Sequence, residues 1–409
     1  MTIRGPLSHR RSATGPDICV VGGAGHVGLP LAVVLASKGL RVLIHDINDK
    51  ALAKIKSGVM PFLEEGAESL LSEMLAKGSL DVTSDFSRLA GVPDIIVTIG
   101  TPIDEFLNPS LKAMTRCFET MLPYLSEDQV IILRSTVSPG TTEWLARYLK
   151  MKGKAVPVAF CPERIVQGYA VRELQTLPQI ISGTSPEAVR RSEGVFALIA
   201  PELVSLQPME AEFAKLFCNA YRYIQFAISN QFFMIANSSG QDYYRILEGM
   251  KKGYVRMQDI PRAGFAAGPC LFKDTVQLAA SNNNEFSLGS AAMLINEGLP
   301  LYIVEQISRS HDLQNLTVGL LGMAFKAESD DPRASLSYKL KKVLQFRAKA
   351  VLTCDPYVKS DVDLLPAEDV VDRSDILILC TPHAEYKNLQ TMGKRVFDIW
   401  NGFGLGARV

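Results

Sequence analysis

One cysteine of this chain stands in a segment whose composition suits covalent chemistry. Residues 263–274 read Ala-Gly-Phe-Ala-Ala-Gly-Pro-Cys-Leu-Phe-Lys-Asp, so Cys270 follows small residues and precedes Lys273 and Asp274. Small residues let a ligand approach the backbone closely, and a nearby ammonium group favours the thiolate, which is the nucleophilic form. A cysteine can equally be a small buried core residue. Composition alone therefore leaves both interpretations of Cys270 open.

A glycine-rich turn near the start of the chain predicts a phosphate-binding site. A short apolar run at 18–21 leads into a turn with the G-x-G-x-x-G spacing, formed by Gly23, Gly25 and Gly28, and an apolar helical stretch follows. Backbone N–H groups and a helix N-terminus can hold a pyrophosphate at such a turn. We expect the whole turn to bind a dinucleotide, including its other members, His26 and Val27.

An acidic residue about 20 positions after the turn predicts which dinucleotide binds. The apolar run at 41–46 ends on Asp46, and no arginine follows it directly. A carboxylate there can accept a hydrogen bond from the adenosine ribose but repels a 2′-phosphate. The sequence therefore predicts NAD as the cofactor rather than NADP.

Composition and charge exclude several classes of protein. The chain has 409 residues, of which 47% are hydrophobic and 21% charged, as in globular proteins of two or three domains. Lysine plus arginine equals aspartate plus glutamate at 43 each, which gives no overall reason to expect nucleic acid or membrane as a partner. Residues 1–16 contain arginines but no apolar core of a signal peptide, so we expect a flexible leader and a cytoplasmic protein.

The cysteines and histidines do not form a metal-binding pattern. No pair of the seven cysteines has the C-x-x-C spacing of a zinc site, and we expect reduced thiols. The five histidines are scattered along the sequence. We therefore expect no metal.

Short apolar strands that alternate with helical stretches predict a doubly wound parallel sheet. Runs of this kind occur at 94–102 and at 130–136, after the two runs already described. The C-terminal part repeats the layout, since 317–325 resembles the first strand and turn, 350–355 is a strand that ends in Asp, and 375–382 resembles 94–102. The fold class predicted is α/β, with two Rossmann-like doubly wound domains joined by a long central helix and a helical middle segment.

The middle segment contains the long helix. Residues 210–236 have no Gly or Pro and carry apolar residues at spacings of three and four. The apolar surface is wider than a single stripe, which predicts a subunit contact and a homodimer or larger assembly. We expect an NAD-binding domain at 17–204, a central helical domain at 205–310 and a C-terminal Rossmann-like domain at 311–409.

The chain resembles the UDP-glucose/GDP-mannose dehydrogenase family over residues 17 to 400. Within that family its sequence motifs are most similar to those of the UDP-N-acetylhexosamine dehydrogenase branch. Seven motifs occur in the same order as in the family. They are the glycine turn at 23–28, Arg134-Ser-Thr136, Cys161-Pro-Glu-Arg164, Ala211-Glu-Phe-Ala-Lys215 with Asn219, Gly268-Pro-Cys-Leu-Phe-Lys-Asp274, Gly322-Met-Ala-Phe-Lys326 and Asp330-Asp-Pro-Arg333.

The resemblance implies a four-electron oxidation of a primary alcohol of a nucleotide sugar to a carboxylate, with two NAD molecules used in succession. Cys270 would add to the aldehyde to give a thiohemiacetal, which is then oxidised to a thioester and hydrolysed. Lys215 and Asn219 would stabilise negative charge on the reacting oxygen, and Asp274 would orient Lys215 or a water. Glu163 would be the base for hydrolysis.

The resemblance also implies further binding roles. Thr136 would position a water near the alcohol and, with Thr101 and Pro102, would contact the cofactor; Thr136 could instead simply cap the helix that follows its strand. Guanidinium and ammonium groups suit phosphate oxygens. The residues that would bind the substrate are Glu163, Arg164, Lys215, Asn219, Arg256, Arg262, Gly264, Lys326 and Arg333, of which Arg333 could instead lie at a subunit interface.

The sequence departs from the family at three positions. Gln167 stands where many UDP-glucose dehydrogenases have a second glutamate, so the hydrolytic role falls to Glu163. Trp400 stands where the family often has arginine or another polar residue, and Ala334 stands where glutamate is common. Two other functions stay open at this point: a two-electron dehydrogenase in which Cys270 is idle, and a nucleotide-sugar binder without catalysis.

Overall fold

The structure is a computed structural model that describes residue 12, residues 15–101, residues 112–406 and residue 409. The chain divides into two compact units, Met1–Phe217 and Cys218–Val409, and each is described by itself. Two predictions fall outside the described residues: most of the leader at 1–16, and the cofactor contact of Pro102.

The first unit is built on an eight-stranded sheet in the order β3-β2-β1-β4-β5-β6-β7-β8. Its strands are β1 Ile18–Val21, β2 Val42–His45, β3 Leu80–Thr83, β4 Asp94–Val97, β5 Val130–Leu133, β6 Val158–Phe160, β7 Gln179–Gly183 and β8 Leu203–Ser205. Four adjacent strands, β2, β1, β4 and β5, are buried along their whole length, as expected for a parallel sheet covered on both faces.

One strand pair of this sheet is antiparallel, β6 with β7, whereas the sequence predicted a parallel arrangement. A parallel return needs a crossover of a dozen or more residues, usually a helix packed on the sheet. The connection between β6 and β7 contains only a single helical turn, Ala170–Glu173. The chain therefore reverses direction at this point.

Helices cover the sheet of the first unit. They are α1 Gly28–Ser37, α2 Asp49–Lys56, α3 Ala67–Ala76, α4 Lys112–Met121, α5 Thr141–Met151, α6 Ala170–Glu173 and α7 Pro186–Phe196. Helix α1 is buried from Gly28 to Ala36, because nearly all its side chains are apolar and it packs deep in the core. Its position fixes the glycine turn at the end of β1.

Helix α8, Pro208–Ser238, agrees with the long helix predicted from the sequence, and the limit between the two units falls inside it. The second unit contains a four-stranded parallel sheet in the order β10-β9-β11-β12. Its strands are β9 Thr317–Leu321, β10 Ala350–Cys354, β11 Ile376–Leu379 and β12 Arg395–Asp398, and its further helices are α9 Tyr243–Lys251, α10 Leu271–Ser281, α11 Ser287–Ser308, α12 Leu336–Gln345 and α13 Ala367–Arg373. The repeat seen in the sequence is confirmed, since β9, β10 and β11 occupy the predicted runs.

Helix α11 is, by length and composition alone, long and apolar enough to cross a membrane, with a mean hydropathy of 1.2 over its best window. Core helices of globular proteins pass the same test, and the helix contains the buried residues Leu299, Ile303 and Ile307. This finding alone is weak evidence for a membrane span.

Candidate active site

The glycine turn after β1 forms a tight cradle that only glycine can build. A Cβ on Gly28 would lie 2.6 Å from the Cα of Gly23, and a Cβ on Gly23 would lie 2.5 Å from the carbonyl oxygen of Val20. The turn leads directly into the N-terminus of α1, where the N-cap residue is Val27. Close backbone approach at a helix N-terminus is what a pyrophosphate requires, so these residues fit a dinucleotide.

Asp46 lies beside this cradle, directly after β2. Its Oδ2 accepts a hydrogen bond from the N–H of Ala24 at 3.0 Å, and its Oδ1 accepts one from Asn48. The carboxylate is therefore held at the glycine turn, where it can meet a ribose hydroxyl. The ring of His26, the remaining predicted turn contact, lies against the ring of Phe62 in a tilted arrangement with ring centroids 3.9 Å apart.

The loops after β4 and β5 are joined by side-chain hydrogen bonds. The hydroxyl of Thr101 donates to the carbonyl of Thr136 at 2.5 Å, and the hydroxyl of Ser135 donates to the carbonyl of Ile99 at 2.5 Å. Both loops follow the carboxyl ends of neighbouring parallel strands, where ligands bind in open α/β sheets. The structure thus brings the predicted residues Thr101 and Thr136 together.

Glu163 lies in the loop after β6 and is held by a buried arginine. Its Oε2 is ion-paired with Nη2 of Arg134, whose side chain is fully buried. Its Oε1 accepts hydrogen bonds from the N–H groups of Arg164 and Ile165. A carboxylate oxygen has two acceptor positions, so Oε2 keeps one for a water. Arg164 itself donates to the carbonyl of Pro178.

Arg134 was quoted in a sequence motif, but its role was not predicted. Its Nη1 also donates to the carbonyl of Cys161 at 3.1 Å and to Oε1 of Gln179 at 3.0 Å, and its guanidinium lies over the ring of Phe196. The guanidinium therefore fixes the Glu163 carboxylate from inside the core. A charged residue between an apolar strand and a Ser-Thr turn is the signal that could have identified it.

Cys270 is the N-cap residue of α10 in the second unit, and its side chain is exposed. The positive end of the helix dipole favours an anion at this place. The hydrogen-bonded ion pair with Asp331 raises the pKa of Arg333, and the electrostatic interaction with Cys270 acts in the same direction. The thiol is therefore accessible and has two electropositive neighbours.

The glycine segment before Cys270 is tied to the loop after β9. The N–H of Gly268 donates to the carbonyl of Ala334 at 3.3 Å, and a Cβ on Gly268, where φ is +104°, would lie 2.5 Å from the ring of Phe325. The unexpected alanine at 334 has φ +52° and contributes its carbonyl group to this contact. Cys270 and Arg333 are brought together in this way.

Asp274 and Asn219 form a buried pair in the second unit. The Nδ2 of Asn219 donates to Oδ2 of Asp274 at 2.5 Å, and Nζ of Lys273 lies 2.7 Å from Oδ1. Asp274 is fully buried and lies one helical turn after Cys270. The structure therefore joins two of the predicted catalytic residues. Lys215 is half-buried on α8 in the first unit.

Gly264 is held by an asparagine that the sequence analysis did not identify. The side-chain amide of Asn230 pairs with both backbone groups of Gly264, accepting from its N–H at 2.8 Å and donating to its carbonyl at 3.0 Å. Asn230 also donates to Oδ1 of Asn296 at 2.9 Å, and both asparagines are fully buried. The distance of 11 residues from Asn219 to Asn230, close to three turns of one helix, is a signal that could have identified it.

Trp400 covers the other side of Gly264. A Cβ on Gly264 would lie 2.5 Å from the indole ring, whose Nε1 donates to the carbonyl of Cys380 at 2.8 Å. Arg262 stacks on Tyr244 and donates to the carbonyl of Trp400. Arg256 lies over the ring of Tyr254. The indole therefore packs against the segment that leads to Cys270.

In the second unit, the turn that follows β9 at Gly322 has its backbone N–H groups bonded to an aspartate of the same unit, Asp355. The Oδ2 of Asp355 accepts from the N–H groups of Met323 and Ala324 at 2.7 and 2.8 Å and lies 3.1 Å from Nε2 of His383. Burial acts to raise the pKa of Asp355, but the hydrogen bonds from His383 and the backbone outweigh it and lower this pKa to about 2. These N–H groups are therefore already paired within the protein.

Lys326 lies near this turn and next to Glu328. Burial acts to raise the pKa of Glu328, but hydrogen bonds from Tyr357 and the N–H of Ala384, together with the charges of His383 and Lys326, lower it. The predicted substrate contact of Lys326 thus lies at the carboxyl end of β9, where ligands of α/β sheets bind.

Three side chains of the second unit are close enough to hold a metal ion. The ligand atoms of Glu328, His383 and Glu385 lie within 4.8 Å of one another. However, Nδ1 of His383 accepts from the N–H of Glu328, and Nε2 pairs with Asp355. Both ring nitrogens are therefore engaged, and this group does not fit a metal.

The other thiols differ from Cys270 in their surroundings. All seven cysteines lie in the described part of the chain and none of them forms a disulfide there; Cys218 and Cys270 are the two that are exposed. Burial raises the pKa of the Cys161 thiol to about 11 and of the Cys117 and Cys354 thiols to about 12. These three thiols are therefore protonated and unreactive at neutral pH.

Comparison with known proteins shows which family shares these features. Residues 16–200 match the NAD binding domain of the UDP-glucose/GDP-mannose dehydrogenase family, residues 209–298 its central domain and residues 319–404 its UDP binding domain. The chain is 31% identical over 386 residues to a UDP-N-acetyl-D-mannosamine dehydrogenase of Pyrococcus horikoshii, covering 91% of both chains. It is 25% identical to an NDP-N-acetyl-D-galactosaminuronic acid dehydrogenase of Ralstonia nicotianae, covering 90% of this chain and 91% of the relative.

Solved structures give the same result. The UDP-D-ManNAc dehydrogenase of Pyrococcus horikoshii has a TM-score of 0.87 at 29% identity, covering 94% of this chain and 95% of that protein. A UDP-glucose dehydrogenase of Pyrobaculum islandicum has a TM-score of 0.87 at 25% identity, covering 95% of both chains.

Proposed function

The chain belongs to the UDP-glucose/GDP-mannose dehydrogenase family, and we propose that it oxidises the C6 hydroxymethyl group of a UDP-linked N-acetylhexosamine to a carboxylate. That it is an NAD-dependent nucleotide-sugar dehydrogenase follows from the family itself. The four-electron course, the sugar and the residue roles are the proposal. The accessible Cys270 at the N-terminus of α10 carries it.

The thiol is needed for the second oxidation. An aldehyde has no hydride on a tetrahedral carbon to give until a nucleophile adds to it. The thiolate of Cys270 adds to C6 of the aldehyde and forms a thiohemiacetal, and loss of a hydride from that carbon leaves a thioester. Water then displaces the thiol, which gives the carboxylate and free Cys270. NAD bound at the glycine turn supplies the hydride acceptor for each oxidation.

Other residues stabilise charge and position water. Lys215 and Asn219 stabilise the developing oxyanion, and loss of one such donor typically costs about two to three orders of magnitude in rate. Asp274 holds Asn219 in place. Thr136 positions a water near the alcohol, and Glu163 activates the water for hydrolysis through the acceptor position left on Oε2.

The proposal of an N-acetylhexosamine as the sugar rests on the sequence motifs and on the names of similar proteins. The motif Cys161-Pro-Glu-Arg164 is followed by Gln167 rather than by a second glutamate, and relatives named UDP-N-acetyl-D-mannosamine dehydrogenase match nine-tenths of the chain. Lys326, Arg333, Arg262 and Arg256 are the cations that we assign to the diphosphate and sugar.

A substrate panel tests the proposal. The purified protein is incubated with NAD and with UDP-glucose, GDP-mannose, UDP-N-acetylglucosamine or UDP-N-acetylmannosamine, and NADH and carboxylate are both measured. We expect two NADH per carboxylate with one N-acetylhexosamine. One NADH per sugar with accumulating aldehyde would support a two-electron dehydrogenase. Tight binding of a nucleotide sugar without NADH would support a binding protein.

Substitution of the thiol separates these outcomes. We expect Cys270→Ser to lose carboxylate formation, because a serine hydroxyl has no comparable anion at neutral pH. Cys218→Ser is the matched control, since Cys218 is the other exposed thiol, and we expect its turnover to equal that of the wild type. Unchanged carboxylate formation in Cys270→Ser would contradict the covalent course.

The exposed apolar face of α8 supports a homodimer. Tyr221, Ile228, Phe232 and Ile235 recur at helical spacing and are 40% to 62% exposed. We expect Phe232→Glu to shift the mass measured by light scattering to that of a monomer; an unchanged mass would remove this face from the interface. None of the seven cysteines, all of which lie in the described residues, forms a disulfide, and this supports a reducing compartment such as the cytoplasm.

A further inference from the structure

Glu212 is a buried carboxylate in the first turns of α8 that no step of the reaction uses. Its side chain is fully buried. Oε2 accepts from the N–H of Gly140 at 2.6 Å, and Oε1 accepts from the N–H of Thr142 at 2.8 Å and from its hydroxyl at 2.5 Å. A buried charge is costly unless such partners satisfy it. The site is therefore built around this carboxylate.

The three donors belong to the N-terminus of α5. The N-cap residue Gly140 has φ +87° and no side chain, so it cannot provide a side-chain cap; the N–H of Thr141 donates to the carbonyl of Ser138, which leaves the N–H groups of Gly140 and Thr142. Glu212 accepts from them instead, and a negative charge at this end of an 11-residue helix is favourable. One carboxylate therefore joins two elements that are 70 residues apart in the sequence.

The hydrogen bonds from Gly140 and Thr142 to Glu212 lie, along the chain, close to two residues of the proposed mechanism. Thr136 precedes Gly140 by four residues, in the loop that leads from β5 to α5, and Lys215 follows Glu212 by one helical turn on α8. Val137 and Ala211 are buried in one apolar cluster, so the loop and the helix also share a core. Movement at Glu212 would therefore change the position of Lys215 relative to Thr136.

We propose that Glu212 is a positioning residue, whose carboxylate holds the turn of α8 that carries Lys215 against the loop that carries Thr136. This inference rests on the proposed function, because it takes the roles of Lys215 and Thr136 from it. A displacement of about 1 Å at a catalytic group can cost about a hundredfold in rate. The carboxylate thus acts on turnover without contact to the reacting atoms.

The first test is Glu212→Gln, with Glu210→Gln as the matched control. The glutamine amide would turn one N–H donor towards another, so the contact between α8 and α5 loosens. Glu210 is exposed on the same helix and accepts from the N–H of Gln207, just before the helix begins. We expect kcat of Glu212→Gln to fall by about 10- to 100-fold with KM changed by less than about threefold. Glu210→Gln should equal the wild type.

An isotope effect separates positioning from folding. With the best sugar of the panel deuterated at C6, a misplaced Lys215 slows hydride transfer itself, so the deuterium effect on kcat should rise in Glu212→Gln. A merely structural role lowers the amount of folded enzyme and leaves this ratio unchanged. Thermal melting of each variant is measured in parallel, and kcat is referred to folded enzyme.

A second pair of variants, at Thr142, tests the same inference if Glu212→Gln does not fold. Thr142→Val removes one donor to the carboxylate, and Thr142→Ser restores the hydroxyl. We expect a lower kcat and a higher isotope effect in the valine variant and a return towards wild type in the serine variant. Equal kcat and equal isotope effects in both would overturn the inference.

Lys215→Ala distinguishes failure of this inference from failure of the proposed function. If Lys215→Ala retains wild-type turnover, the role of Lys215 is wrong and the inference falls with it. If Lys215→Ala is inactive while Glu212→Gln and Thr142→Val turn over normally, the proposed function stands and only the positioning role of Glu212 is refuted.

Discussion

Replacement of Asn230 by leucine tests whether a single buried side-chain amide holds the backbone of the loop before Cys270 in its conformation. Leucine has a similar size but no polar atoms, so it fills the space and keeps water out. It leaves three buried groups without their partner: the N–H of Gly264, its carbonyl and Oδ1 of Asn296. Each buried polar group that loses its hydrogen bond costs about 1–3 kcal/mol.

The expected total follows from these contacts. Three such losses would sum to about 3–9 kcal/mol, but neighbouring effects share relaxation and are not additive. We therefore expect the free energy of unfolding to fall by about 3–5 kcal/mol. The loss should be accompanied by a lower kcat, because Gly264 begins the segment that leads to Cys270.

Asn237 on the same helix is the control. Its amide also pairs with both backbone groups of one residue, Val409, at 2.9 and 3.1 Å, but it is only half-buried and the paired residue is remote in sequence from the Cys270 segment. Water can replace these bonds in Asn237→Leu, so we expect a loss of about 1 kcal/mol and unchanged turnover. The two variants thus share chemistry and differ in burial.

Urea unfolding followed by tryptophan fluorescence measures the difference. The chain has two tryptophans, and Trp400 lies against Gly264. In a Trp144→Phe background the fluorescence reports on this part of the second unit alone. Equal losses in Asn230→Leu and Asn237→Leu, or a loss below about 1 kcal/mol in Asn230→Leu, would refute the reasoning.

Two further predictions concern the glycine turns. In Gly28→Ala the new methyl would lie 2.6 Å from the Cα of Gly23, so the turn must open, and we expect the KM for NAD to rise at least about tenfold; a wild-type KM would contradict the cradle. The pKa of the Asp355 carboxyl group is 3.8 in the unfolded chain and about 2 in the folded protein. The ionised carboxylate therefore stabilises the folded protein above about pH 4, and this stabilisation is lost as the pH falls towards 2. We expect Asp355→Asn to lower stability by about 2 kcal/mol at neutral pH but much less near pH 2, as measured by urea unfolding at both pH values; an equal loss at both would exclude this linkage.

Local patterns in the sequence predicted most elements of the fold. The glycine turn, the strand that ends at Asp46 and the repeat of both in the second unit depend on neighbouring residues, and the structure places strands there. The helix predicted at 210–236 extends from Pro208 to Ser238. The antiparallel return of β7 was missed, because it depends on the path of a loop rather than on residues within the strands.

The partners of the site residues could not be predicted in the same way. The sequence placed Asp355 at the end of a strand but did not indicate its partners, which are the backbone N–H groups of Met323 and Ala324, more than 30 residues away, and the ring of His383. Arg134 and Glu163 stood in two separate motifs, and only the folded sheet places them in contact. Such pairings depend on tertiary packing, which one sequence does not encode locally.

Because most thiols of the protein are buried, a thiol reagent can be directed to one exposed cysteine. Five of the seven cysteines are fully or partly buried, each with a raised pKa. Maleimides and iodoacetamide react with exposed thiolates, so a Cys218→Ser chain presents one addressable sulfur, that of Cys270. If Cys270 has the proposed catalytic role, the stoichiometry of labelling counts active sites, and a fluorophore at that position reports on nucleotide-sugar binding.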